Sequence, residues 1–468
     1  MKTPGLERPK GTEKKAFPIG YRFLRLFTDI HPGEAPKALL LTLNVFLLLL
    51  AYTIIKPVRD ALILAGWGPE MKSYLGAAQA ILLIFVVKIF SALASRVPRH
   101  LLITWVTLFF ISNLVIFYFL SLFGMSIGTM GIIFFVWIGI YNLMVPAQFW
   151  GFANDLYTDD VGKRLFPLIA FGATFGAVSG SKIAGLLIKP LGPYKMMLVS
   201  GGILGICILL AIFIHKREVN KTVDKTVQTT AEMELRKKLQ VQPLKKGGGF
   251  RLVFKSQYLL YIALLIGLYN FINATGEYIL GNVVTRTATK AIQMGTAGGL
   301  DKVQFIGKFY ADYQFLTNLL AMLIQLFLVS RIFKWVGVGG ALLFFPFIAL
   351  SGYGFMTFGA SLMIIKWAKA LENGTDYSLM NTTKHALFLI TSREEKYKAK
   401  AAIDTFFVRG GDFLSALGVF LGTTYLALSV ERFAKINVVG VIIWIMLCFF
   451  VIREYKKLKA KTPVTQIR

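Results

Sequence analysis

Ala38-Leu-Leu-Leu-Thr-Leu-Asn-Val-Phe-Leu-Leu-Leu-Leu50 runs without a break into Ala51-Tyr-Thr-Ile-Ile-Lys-Pro-Val-Arg-Asp60. The first part is apolar enough for a membrane helix, and the second places two cations and a carboxylate before that helix has left the bilayer. A charged side chain in the middle of a span costs about 2.5–3.5 kcal/mol unless it faces water or a partner. Lys56, Arg59 and Asp60 therefore imply a polar cavity inside a helix bundle. An excess of cations there implies an anionic solute.

The rest of the chain extends the pattern. Of 468 residues 56% are hydrophobic, 40 are Phe and the mean hydropathy is +0.62, more apolar surface than a soluble domain can hide. The apolar residues gather in runs of about 20, the length that crosses a bilayer as a helix. Cys207 and Cys448 lie in separate hydrophobic runs, which excludes a disulfide framework and a Cys-x-x-Cys metal site. Lys and Arg (52) outnumber Asp and Glu (24), but the cations concentrate on alternate loops, as the positive-inside rule requires, and no nucleic-acid partner is needed to explain them. Met1–Lys37 is polar and mixed in charge, so the first helix is expected to be retained and not cleaved as a signal.

Apolar runs predict twelve helices, at 38–65, 72–95, 99–122, 127–154, 165–189, 193–215, 256–284, 308–333, 338–358, 360–390, 399–428 and 436–453. The expected organisation is a cytoplasmic segment 1–37, a six-helix bundle 38–215, a basic linker 216–255, a second six-helix bundle 256–453 and a basic cytoplasmic tail 454–468. The linker holds eleven Lys or Arg and ends in Gly247-Gly248-Gly249, with one amphipathic helix expected at Thr230–Gln240. An even number of spans on each side of it puts both termini in the cytoplasm, and Thr285–Lys308 is then the one long outer loop. Tyr52 to Asp60 lies over Tyr269 to Glu277 without a gap, placing a carboxylate at the same depth in each half. Thr158–Lys163 overlies Thr391–Lys396 in the same way. The fold class is thus an all-α polytopic membrane protein, two pseudo-symmetric six-helix bundles of the major facilitator type, with a substrate site between the halves.

Further charges fall inside the expected spans: Lys88, Lys182, Glu277, Lys366, Lys369, Glu372, Asp376, Lys384, Asp404, Arg409 and Asp412. Lys366, Lys369 and Glu372 share a helix face, so Lys369 and Glu372 are placed to neutralise each other. For each single charge the competing reading is an ion pair between helices or a side chain reaching to the interface. Gly172, Gly176 and Gly180 form a smooth stripe for close helix packing. Neither a phosphate-binding Gly-rich loop nor a His-Glu-x-x-His motif is present, so no catalytic residue, metal or cofactor is expected and transport would be secondary.

Two motifs point to a family. Phe149-Trp-Gly-Phe-Ala-Asn154 with Lys163-Arg-Leu-Phe-Pro-Leu168 and Gly172-Ala173, then Tyr377-Ser-Leu, Lys384 and Lys396-x-Lys398-x-Lys400-Ala-Ala-Ile-Asp404, resemble the ATP/ADP translocase family of plastids and intracellular bacteria. The resemblance implies exchange of ATP for ADP, or nucleotide uptake with a proton, at a bacterial inner membrane. By position the family's helix-one lysine falls on Arg59, its helix-seven glutamate on Glu277 and its helix-ten lysine on Lys384. Arg replaces Lys there with a planar fork. The acidic residue that plastid members carry in helix four falls on Ile138, a departure that bears on which substrate is carried. On this reading Lys56, Arg59 and Lys384 attract phosphates, with Asp60 beside them. Glu277 pairs with an emptied cation site or binds a coupling proton, and Tyr52, Tyr269 and Asn273 are the nearest groups for a base. The partners implied are a nucleotide and membrane lipid, and a monomer is compatible with the sequence. The alternatives are a proton-coupled carrier of another organic anion and a non-transporting membrane protein that retains the fold.

Overall fold

The computed structural model describes residues 30–31, 34–157, 159–223 and 248–461, and the regular elements among them are all helical. Helix α1 (Ala35–Gly66) continues through the charged stretch, Pro57 included. It is followed by α2 (Pro69–Arg96), α3 (Arg99–Leu122), α4 (Ile127–Leu156) and α5 (Asp159–Val223). After a short α6 (Gly249–Lys255) come α7 (Gln257–Gln293), α8 (Lys302–Leu323) and α9 (Val329–Thr357), the last two joined by a π turn at Ile324–Leu328. Then α10 (Leu362–Thr375) passes through a π turn, Asp376–Met380, into α11 (Asn381–Leu387). Two π turns flank α12 (Lys400–Ala402) ahead of α13 (Val408–Thr424), and α14 (Val430–Lys461) ends the described chain.

Nine stretches among the described residues are long and apolar enough to cross a membrane. Two of them, Arg164–Arg217 and Lys302–Thr357, run to 54 and 56 residues. At about 1.5 Å per residue each far exceeds the roughly 30 Å of a bilayer core. Each is broken by a glycine with positive φ, Gly192 (71°) and Gly337 (68°), a conformation that side chains rarely adopt. The helical stretch from Leu362 to Ile390 is not among the nine because its charges lower its hydropathy.

The expected outer loop Thr285–Lys308 is mostly helix instead: α7 runs to Gln293 and α8 starts at Lys302. Polar residues suggested a loop, but Thr285, Thr287 and Thr289 bond back to carbonyls four residues earlier, and Asp301 with Gln304 forms a capping box. The amphipathic helix expected at Thr230–Gln240 lies outside the described residues.

The glycine stripe decides where α1 sits. A Cβ on Gly176 would strike the Phe46 carbonyl, one on Gly180 the Thr53 hydroxyl and the Leu50 carbonyl, and one on Gly172 the side chain of Thr42. Backbone therefore lies against backbone, and α1 is drawn inward. In the most apolar window of α1 56% of residues are buried, against 11% for α2. The charged stretch of α1 is thus carried to the middle of the molecule, facing the second half of the chain. Among the described residues, hydrogen bonds between the halves fall on the side away from Ala35 and Lys461. Lys189 donates to the Gly298 carbonyl (3.1 Å), Lys302 to the Ala65 carbonyl (3.4 Å) and Asn318 to Ser181 (3.0 Å).

Candidate functional site

Asp60 is 1% exposed and is the centre of a charged junction. Its carboxylate accepts from Arg59 Nη2 (2.9 and 3.1 Å), from Lys72 Nζ (3.2 Å) and from Gln314 Nε2 (3.4 Å). Lys72 also stands 3.7 Å from Glu277 Oε2, donates to the Tyr310 hydroxyl (3.3 Å) and lies over the Tyr310 ring. Glu277 Oε1 accepts from the Tyr313 hydroxyl and from Asn373 Nδ2, both at 3.0 Å. One network thereby ties α1 and α2 of the first half to α7, α8 and α10 of the second. The matched depths of Asp60 and Glu277 have a physical outcome: both carboxylates meet the same ammonium.

Lys72 is the residue the sequence reading missed. It stands in the first turn of α2, at the edge of its expected span, where a lysine passes for an interfacial charge. The available signal was the tight Trp67-Gly68 connection, with Gly68 at φ 93°. It folds the first turn of α2 back beside the last turns of α1, twelve residues after Asp60.

The other cations are handled differently. Lys56, one turn before Asp60 and half-buried, makes no hydrogen bond or ion pair among the described residues. Arg59 is paired along one edge only: its Nε is buried without a partner, and its guanidinium lies 4.9 Å from the Phe135 ring centroid. Lys384 donates to the Tyr269 hydroxyl (3.0 Å) of its own half and has no carboxylate within ion-pair distance among the described residues. Asp376, in the π turn between α10 and α11, has a buried Oδ1 with no partner.

Several residues are settled by packing. Lys369 and Glu372 pair at 3.0 Å in the interior, as their spacing predicts, with Tyr353 donating to Glu372 (3.1 Å). Lys369 also donates to Asn273 Oδ1 (2.8 Å). Tyr269, expected near a base, is 3% exposed and packed against Trp444 and Phe345, which leaves its ring no open face. Tyr52 is half-buried and stacks on Tyr141 (5.8 Å between centroids). Lys182 lies over the ring of Phe315 and Lys366 over that of Phe309, while Lys88 is exposed beside Phe85. Ile138 is fully buried. No cluster of three or more metal-ligating side chains occurs among the described residues.

Beside the junction a cavity of about 260 Å³ opens between α2, α4, α7 and α13. Lys72, Gln79, Phe135, Asn270, Asn273 and Glu277 are among the residues that line it. Lys56, Arg59 and Lys72 outnumber Asp60 and Glu277, so this region retains attraction for an anion after its internal pairs are made.

Residues 129–459 match the family model described as TLC ATP/ADP transporter. The chain is 25% identical to ADP,ATP carrier protein 1 of Chlamydia pneumoniae, with 87% of each chain covered. It is 22% identical to ADP,ATP carrier protein 1 of Rickettsia conorii, covering 94% of this chain and 97% of that one. Among solved structures it resembles the nucleoside transporter NupG (TM-score 0.59, 11% identity, 90% of this chain and 99% of that one). It also resembles an auto-inhibited POT family peptide transporter (TM-score 0.56, 13% identity, 92% and 98%). The two structural likenesses show that the chain shares the helical fold of these proteins. With the family model spanning most of its length, the chain belongs to the TLC ATP/ADP transporter family.

Proposed function

We propose that this transporter exchanges ATP for ADP across a bacterial inner membrane by alternating access, with Lys56, Arg59 and Lys384 receiving the phosphates. The observation that carries the reading is the contrast on α1: Asp60 is fully paired while Lys56, one turn away, has no partner among the described residues. A polyanionic cargo supplies what Lys56 and the free edge of Arg59 lack. In doing so it competes with Asp60 for Arg59 and shifts the balance of charge on Lys72, the ammonium that joins Asp60 to Glu277. An equilibrium between two arrangements of the halves moves only if cargo binds one of them better. Phosphates that loosen the Asp60–Lys72–Glu277 junction supply that difference.

The chain crosses the membrane twelve times in this scheme. The two longest apolar stretches each turn back at their glycine, and the charged helix from Leu362 to Ile390 is a further crossing. The bundles are 38–215 and 256–453, both termini are cytoplasmic, and one chain encloses the whole site. The buried, unpartnered oxygen of Asp376 favours a second reading in which a proton travels with the cargo.

Uptake of labelled ATP into proteoliposomes tests both. Exchange predicts rapid uptake only into vesicles preloaded with ADP. Equal uptake into empty vesicles under a proton gradient supports the second reading, and no uptake in either removes the nucleotide assignment.

A further inference from the structure

We propose that α6, with the π turn it rests on, forms a binding site for an anionic phospholipid in the leaflet on the side of Ala35 and Lys461. The inference is independent of what the protein carries.

The seven residues of α6, Gly249-Phe-Arg-Leu-Val-Phe-Lys255, divide round the helix axis into faces, because residues four apart lie one above the other. Gly249 and Val253 turn to the protein: Val253 is fully buried, and a Cβ on Gly249 would lie 2.7 Å from the Lys398 carbonyl. Phe250 and Phe254 turn outward and are 47% and 66% exposed. Arg251 and Lys255 are exposed as well, and neither has a hydrogen bond or ion pair among the described residues. Left in water, each phenyl ring would forgo much of the roughly 1.5–3 kcal/mol that burial of such a side chain provides.

The position of α6 says what covers these faces. It runs into α7 at Gln257, the start of a membrane span, and Tyr258 beside Tyr455 (6.5 Å between centroids) sets that end level with the last turns of α14. The Phe250 ring meets the Phe406 ring edge-on at 5.1 Å. Phe406 in turn heads a row of exposed apolar side chains along another span, Phe413, Leu417 and Phe420, which is a lipid-facing surface. The aromatic face of α6 continues that surface. Its cations, about 100° round the helix, stand where head groups begin.

Charge decides the class of lipid. Lys396, on the π turn Glu395–Ala399 that Gly249 packs against, is a third cation without a partner among the described residues. Its neighbours Lys398 and Lys400 are neutralised by Glu394 and Asp404. Uncompensated cations beside two open phenyl rings fit an anionic head group with its acyl chain. A soluble phosphate would leave the rings uncovered, and a zwitterionic head would bring a cation of its own.

The test is the thermal midpoint of the detergent-solubilised protein, titrated with phosphatidylglycerol in mixed micelles. Phosphatidylglycerol should raise the midpoint, while phosphatidylcholine and glycerol 3-phosphate should leave it unchanged. Arg251→Gln combined with Lys255→Gln should keep the parent's midpoint in neutral detergent and raise the phosphatidylglycerol concentration for half the shift roughly thirtyfold. Lys456→Gln combined with Lys459→Gln removes two exposed cations on the same side of the molecule and should not change it. Phe254→Ser keeps every cation and should weaken the lipid roughly tenfold through the lost chain contact. Equal losses in the two double variants would reduce the effect to the general positive charge of that side and overturn the site. A shift by glycerol 3-phosphate that the Arg251→Gln, Lys255→Gln protein lacks would assign these cations to a soluble anion and overturn the lipid. The Phe254→Ser comparison leaves both cations in place, so the outcome does not depend on how the double variant folds.

Discussion

Asp60 and Lys56 stand four residues apart on α1, and the fold surrounds them in opposite ways. Asp60 is 1% exposed and is met by Arg59, Lys72 and Gln314, whereas Lys56 is half-buried with no bond among the described residues. Breaking a buried ion pair leaves an uncompensated charge, while removing a charge that has no partner removes nothing the fold relies on. Residues of the first kind should fail in stability and in turnover together. Those of the second kind should fail only when cargo is present.

The sharpest way to break the comparison is Lys72→Met. It strips Glu277 of its nearest cation and Asp60 of one of two, and should cost about 3–5 kcal/mol, read as a large fall in the thermal midpoint of the detergent-solubilised protein together with loss of exchange. Adding Glu277→Gln should return part of the loss. A Lys72→Met protein as stable and active as the parent would show that the junction is incidental.

Lys56→Met probes the other side. Its thermal midpoint without nucleotide should match the parent, while ATP affinity falls by about 1.5–3 kcal/mol, the scale of a charge-assisted hydrogen bond. A midpoint that drops without cargo would place Lys56 with Asp60 in the structural class.

Glu277→Gln divides the two effects within one residue. The amide keeps the contacts to Tyr313 and Asn373 but cannot balance Lys72, so turnover should fall about tenfold, with a smaller loss of stability than in Lys72→Met because Lys72 keeps Asp60 and Glu277 is partly exposed. Normal transport at every pH from 5 to 8 would remove both the switch and any proton role for this carboxylate.

The smallest effect belongs to an ion pair whose carboxylate lies outside the spans. Glu34 precedes α1 and accepts from both terminal nitrogens of Arg164 (2.9 and 3.2 Å), and this bond holds its carboxyl below the usual carboxylate range. A carboxyl whose pKa is depressed on folding adds stability above its ordinary pKa and loses it as pH falls. Between pH 7 and 4 the parent should therefore lose slightly more stability than Glu34→Gln, by under about 1 kcal/mol. The measurement is the difference in their thermal midpoints at the two pH values.

The helices were legible because burial in lipid demands a single pattern, a long apolar run, whatever else the helix does. The Lys369–Glu372 pair was legible as well, since both partners lie on one helix at a spacing of three. Tyr269 was not, because an aromatic residue in a span reads the same whether its face is open or covered by Trp444 and Phe345. The polarity of Asn273 was equally hidden, being set by an ammonium 96 residues away.

By itself, then, the sequence determined the membrane class, the extent of most helices, the excess of cations over carboxylates in the interior and the two family motifs. Each of these depends on composition or on neighbours within a few residues. Only the tertiary structure decided which cations are already satisfied. Pairing is a matter of distances of about 3 Å between helices far apart in the chain, and it brought Lys72 to Asp60 and Glu277 while leaving Lys56 open.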